Sequence, residues 1–394
     1  MTPLPQEVLD KVVDELHDDH GALKRCALAS RYLLPRSQRH LFSTICLSDD
    51  AQSHRLHGVL IVNPFLPRCI HELEMNLSLW KANDVHLPDT LHLMTSLQSL
   101  AINDAGLWIR MSRSISDSIK DLVNLPSLVH LSISNADFIP MLFATPKAMK
   151  SFQLHGSLSF TDTLAFAVSG MTTELLVLNL HSDMLGIGSQ LPALSQVRKL
   201  ILHSVSSVVP STLGIMGASA DSLEVIEFHN MFPDGIDREN IFTFDFSTLS
   251  RLSCFTFTST FRTELSINFY EKCVVMLEKL CSFVSANPSS ARVKNFRIIL
   301  STNRTPSPIS ATWAVLPEFL TASALWRRLD QILDSARGDT DTSFQVDIVL
   351  KIPILRRGDL SMMNGMWERG LRSQMPRTSG KGFLACKVVQ VKAL

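Results

Sequence analysis

Four histidines come closest to a chemical pattern in this sequence. His155, His181, His203 and His229 each follow the last apolar residue of a six-residue motif, seen as MKSFQL at 149–154, LLVLNL at 175–180, VRKLIL at 197–202 and LEVIEF at 223–228. Imidazoles at equivalent places on adjacent parallel strands would stand about 4.8 Å apart. Such a row could capture a metal ion or respond to pH near neutrality. The plainer reading is that the rings cap strand ends or bond neighbouring loops, and beyond it they stand as possible target-facing groups. No metal and no cofactor is assigned.

Other chemistry leaves less trace. The phosphate-cradling patterns GxGxxG and GxxxxGK[ST] are missing, as are HExxH and the GxSxG nucleophile elbow. The GIGS at 186–189 is a lone glycine turn, and the acidic pairs Asp18–Asp19 and Asp49–Asp50 fall near segment ends, where capping or solvated roles are commoner than catalysis. Seven cysteines, at 26, 46, 69, 254, 273, 281 and 386, form an odd, scattered set without a CxxC. They read as free buried thiols of a reducing compartment, cytoplasmic or nuclear. The chain is therefore expected not to be an enzyme.

Charge narrows the partners. Lys plus Arg and Asp plus Glu both number 37 in 394 residues, so nothing global draws the protein to nucleic acid or to an anionic membrane. Arg327 with Arg328, Arg356 with Arg357, and the Lys/Arg residues from 369 to 387 are local clusters. Solvated surface is the default for them. Convergence on one face would instead suit an acidic or phosphorylated partner. The amino terminus has no basic lead into an apolar run, and no apolar stretch reaches about 18 residues, so neither a secretory signal nor a membrane span is expected.

The elements that would position the histidines follow from the repeated motif. Its spacing is apolar, two residues, apolar, one residue, apolar. Further copies are IHELEM at 70–75, LQSLAI at 97–102, LVHLSI at 128–133, LSCFTF at 252–257 and VKNFRI at 293–298. First positions lie 27, 31, 21, 26, 22, 26, 29 and 41 residues apart, mostly within or near the interval of leucine-rich repeats. Alternation of the last two apolar residues predicts a strand buried on one face. Segments such as 114–127 and 160–170 predict helices behind the strands. The expected fold class is α/β, an irregular leucine-rich-repeat solenoid with parallel strands on its concave face over 49–300. The rival is a globular α/β domain with ordinary crossovers. Most copies lack the Asn that follows the strand in the common form of this repeat.

Beyond residue 300 the motif fades. RTPSPIS at 304–310 reads as a loop, WAVLPEFL and ALWRRLDQIL at 313–333 as helical, and ARGDTDTS at 336–343 as a polar turn. FQVDIVLKI at 344–352 reads as a strand, LSMMNGMWERGL as helical, and the end of PRTSGKGFLACKVV as extended. Residues 301–394 are expected to form atypical repeats or a cap, because a terminal repeat has no neighbour on one side.

Residues 1–48 predict a small helical unit. Pro5 suits a first helical turn, and Val8, Leu9, Val12, Val13 and Leu16 recur at helical spacing. A second pattern holds Leu23, Cys26, Ala27 and Leu28, then Leu33 and Leu34 before Pro35, which marks a break or a new helix start. A third, short and amphipathic, runs from Arg36 to Phe42, and STICL at 43–47 looks extended. Three short helices bury too little against one another to be comfortable alone.

This run resembles the F-box-like domain of fungal, basidiomycete-type multi-repeat proteins. The resemblance rests on Leu4-Pro5, the pair Glu7-Val8, the stripe Val12 and Leu16, Cys26-Ala27-Leu28, Arg31, and His40-Leu41-Phe42. It covers about an eighth of the chain, and Tyr32 departs from it, since the family often carries Trp a position or two later. The resemblance implies a non-catalytic substrate-recognition subunit of a cullin-RING ubiquitin ligase. Leu4, Pro5, Val8, Val12, Leu28, Leu33 and Leu34 would then grip the ligase's adaptor subunit, and the solenoid would hold a protein substrate. Such a protein would be a monomer apart from its complex, with no nucleic acid and no membrane among its partners. The alternative is a leucine-rich-repeat interaction scaffold without a role in ubiquitin transfer.

Overall fold

The computed structural model describes residues 4–80, 84–105, 111–134, 147–156, 171–180, 195–203, 209–230, 245–261, 267–302, 317–318, 320–337, 344–353 and 357–391. The chain falls into two compact units, Met1–Glu174 and Leu175–Leu394. His181, the glycine turn at 186–189, the helix expected at 160–170, the loop at 304–310 and most of the turn at 336–343 lie outside the described residues.

In the first unit three helices, α1 (Gln6–Asp14), α2 (His20–Ala29) and α3 (Leu34–Leu41), precede an alternation of strand and helix. The order is β1 (Thr44–Leu47), α4 (Asp50–Val62), β2 (Glu72–Asn76), α5 (Leu87–His92), β3 (Ser99–Asn103), α6 (Arg113–Val123), β4 (His130–Ser134) and β5 (Lys147–Gly156). Each strand pairs in parallel with the next in chain order. That progression, without crossing over, is solenoid-like.

The expected burial is observed. Leu100 and Ile102 of β3, and Leu131 and Ile133 of β4, are buried, while the residues between them reach the other face. The first apolar residue of each motif sits just before the strand and is also buried, as at Ile70, Leu97 and Leu128. A backbone device repeats with it. One carbonyl ahead of a strand accepts two successive N–H groups of the following repeat: Ser43 O from His71 and Glu72, His71 O from Gln98 and Ser99, Gln98 O from Val129 and His130. This satisfies the donors where the chain turns into the ladder.

The second unit continues the same grammar. It holds β6 (Met171–Leu180) from Leu175 onward, β7 (Lys199–His203), α7 (Val209–Ala218), β8 (Val225–His229), β9 (Cys254–Phe261), α8 (Ile267–Ala286) and β10 (Asn295–Thr302). Then follow α9 (Leu325–Arg337), β11 (Gln345–Pro353), α10 (Arg357–Gln374), α11 (Pro376–Gly380) and β12 (Leu384–Val391). Strands β6 to β12 pair in parallel, in order. Arg198 O and Glu224 O repeat the double acceptance seen in the first unit.

Its core is aromatic. Phe228 of β8 and Phe255 and Phe257 of β9 meet Phe283 of α8, and Phe296 of β10 stacks on Phe255 at 6.0 Å. Farther on, Trp326 of α9 and Trp367 of α10 meet edge to face at 6.3 Å, and their indole N–H groups donate to Leu320 O and Ile348 O. Buried Trp needs such acceptors.

One expectation is corrected. The cysteines are free, but Cys46 is exposed and Cys26, Cys254 and Cys386 are only partly buried, leaving Cys69, Cys273 and Cys281 as the buried thiols. Odd positions of an exposed strand such as β1 face solvent, which periodicity in residue type did not mark at Cys46. None of the described helices is long and apolar enough to cross a membrane.

Candidate functional site

The first three helices sort their apolar residues into two faces. Val13 of α1 and Leu23 of α2 are fully buried, and Leu9 and Leu16 are partly so. Val8 and Val12, one turn apart on α1 and flanking the buried stripe, are exposed, Val12 by 55%, as is Leu4 just before the helix. Leu28 is 89% exposed, and Pro5 is exposed as well. Leu33 and Leu34 are half-buried where the chain enters α3, with Pro35 in its first turn. Of the seven residues named from the sequence, five therefore stand out in solvent and two do not.

Polar contacts hold this arrangement. Pro5 occupies the cap of α1, Asp19 caps α2 by accepting from Ala22 N at 2.8 Å, and Gln6 Nε2 donates to Tyr32 O at 2.9 Å. The last bond brings the first turn of α1 beside the segment linking α2 to α3, which follows Leu28. Asp14, at the other end of α1, accepts from Arg36 Nε and Nη2 at 2.5 and 2.7 Å and lies 2.7 Å from His40 Nε2. The Arg36 hydrogen bond, then that of His40, holds the Asp14 carboxyl well below the usual carboxylate range. Outward apolar residues on a framework tied by ion pairs form a surface whose burial would release about 1.5–3 kcal/mol per fully covered Val or Leu.

The strand faces make a second candidate. In the first unit the residues opposite the core form a hydrogen-bonded polar row: Thr44 to Glu72 at 3.0 Å, Asn103 to Glu74 at 2.8 Å and Ser134 to Asn103 at 3.0 Å. His155 on β5 contacts Gln153 Oε1 at 3.3 Å, and burial pushes its pKa down.

In the second unit His203 and His229 are register partners with ring centroids 4.4 Å apart. Glu227 lies between His229 Nε2, at 3.2 Å, and Lys199 Nζ, at 2.8 Å. Those two donors, His229 first, bring its pKa down to about 2. Farther along the same face Arg297 binds Asp347 at 2.9 Å. This cross-strand pairing of charges was not foreseen; the signal was opposite charge at equivalent motif positions, Arg198 against Glu224, which pair at 2.9 Å, with Lys199 reaching Glu227 diagonally. The expected row of four imidazoles is thus seen as one pair, its rings tilted by 41°, with His155 in the other unit and His181 outside the described residues. Among the described residues no group of three His, Cys, Asp or Glu side chains could hold a metal ion.

No family model matches this chain, and no curated protein matches it in sequence.

Proposed function

We propose that this protein is a non-catalytic substrate-recognition subunit of a cullin-RING ubiquitin ligase. Its F-box-like amino-terminal helices dock the adaptor subunit, and its leucine-rich-repeat solenoid presents strand faces to a target protein. The reading rests on the resemblance of residues 4–47 to that domain. The observation that carries it is the outward stripe of Leu4, Val8 and Val12 with Leu28, apolar side chains that the fold of the first unit leaves uncovered. The protein's contribution to ubiquitin transfer would be positional, raising the effective concentration of a target lysine near the loaded enzyme.

The test is a pull-down of purified adaptor subunit by the full chain and by a Pro5→Ala, Val8→Asp variant. Because Val8 is exposed, the variant keeps its fold, checked by circular dichroism. Binding by the wild type that falls more than about tenfold in the variant supports the proposal. A folded wild type that captures no adaptor points to the interaction-scaffold alternative.

A further inference from the structure

The basic residues scattered through the carboxy-terminal sequence converge in space. Arg327, Asp330 and Asp334 recur at helical spacing and share one side of α9. That side faces α11. Asp330, buried, accepts from the backbone N–H groups of Arg377 and Thr378 at 2.9 and 2.8 Å and from the Thr378 hydroxyl. Asp334 takes Arg377 Nη1 at 3.3 Å and Lys381 Nζ at 2.7 Å. From α10, Arg372 reaches Glu368 at 2.9 Å and Ser379 of α11 at 3.2 Å. Arg327, Arg372, Arg377 and Lys381 therefore stand along one exposed seam where α9, α10 and α11 pack together.

The charges along the seam do not cancel. Asp330 is enclosed and spends both oxygens on the start of α11, and the single carboxylate of Asp334 serves two cations. Among the described residues no carboxylate pairs with Arg327, which is exposed at the end of the row. Arg328 and Arg369 add exposed positive charge on the neighbouring surfaces of α9 and α10. Two of the cations are held in place by Asp334, so they are ordered before any partner arrives, which lowers the entropy cost of recognition.

We infer that this seam binds an acidic segment of a partner protein. The spacing favours side-chain carboxylates over a dense polyanion. Duplex nucleic acid presents one charge per about 1.7 Å and would run its phosphates against Asp334 and Glu368. An extended peptide turns alternate side chains to one face about every 7 Å, and can set its carboxylates on the guanidinium groups while passing those two acids. The inference concerns a surface of the second unit and stands whether or not the amino-terminal helices dock an adaptor.

The experiment uses the full chain without adaptor. A fluorescein-labelled polyglutamate peptide of about ten residues is titrated by anisotropy at about 0.15 M salt, where distant surface charges are screened. Wild type should bind, Arg327→Glu and Lys381→Glu should each weaken binding about tenfold, and Arg327→Lys should retain most of it. Arg113→Glu, a reversal at an exposed site on α6 of the other unit, should leave it unchanged. Absence of wild-type binding, equal loss in the Arg113 variant, or tighter binding of duplex DNA or of anionic vesicles would overturn the inference.

Discussion

Asp14 and Arg36 join the first and third helices through two hydrogen bonds, 2.5 and 2.7 Å, across twenty-two positions of sequence. The pair sets the inner face of α1 against α3 and so decides that Leu4, Val8 and Val12 point away. Asp14→Asn should therefore loosen α1, raising amide hydrogen exchange over residues 6–14 at neutral pH. Because the folded carboxyl is held below its unfolded value of about 4, its stabilisation is full above that pH and is lost as pH falls. Wild-type protection, corrected for intrinsic exchange, should decline below about pH 4, whereas the Asn variant should lack that dependence. Equal protection in both proteins would refute the role given to this pair.

Glu227 offers a direct titration. In protein carrying carbon-13 at glutamate carboxyls, its signal should titrate near pH 2, far below its exposed counterparts. His229→Ala and Lys199→Met should each move the midpoint upward, the histidine change more, since its hydrogen bond is the larger cause. Sign again follows from the depressed value: the link between β7 and β8 stabilises the fold above the unfolded pKa and is lost in acid. A midpoint left unmoved by both changes would contradict the geometry.

Asp330 is a buried anchor. Asp330→Ala strips the acceptors from Thr378 N, Arg377 N and the Thr378 hydroxyl in an enclosed site, where each orphaned group is costly. Loss of about 3 kcal/mol is expected by urea titration followed through tryptophan fluorescence. A change below about 1 kcal/mol would mean that water replaces the carboxylate.

Two glycines of α10 should respond in opposite directions. A Cβ on Gly370 would collide with the Thr321 side chain, so Gly370→Ala should cost about 1–3 kcal/mol. Around Gly365 nothing lies within 4 Å, and Gly365→Ala should gain about 0.5–1 kcal/mol from helix propensity alone. Paired thermal melts of the two variants separate the effects, and a shared sign would show that α10 sits differently against Thr321.

The repeat was legible because a strand buried on one face writes its period into residue type. All nine motif copies are strands, from β2 to β10, and the extended stretches at 43–47, 344–352 and the carboxy-terminal end are β1, β11 and β12. Helices α6, α9 and α10 were visible through their apolar stripes. Helices α4, α7 and α8 were not read. In α8 the buried Cys273, Met276, Leu277, Leu280, Cys281 and Val284 do recur at helical spacing, with Glu278, Lys279, Ser282 and Ser285 off that stripe, so its signal was present in the sequence.

The sequence by itself determined where strands form, that they follow one another in parallel, and which side chains line the core, since these depend on local spacing and on a preference for burial. Tertiary structure alone decided which apolar residues of α1 remain outside, that the rings of His203 and His229 meet, and that Arg327 lies along the same seam as Arg377 and Lys381. Those relations link residues 22 to 54 positions apart. Helical or strand period gives each residue a face, but only packing against another element decides what that face meets.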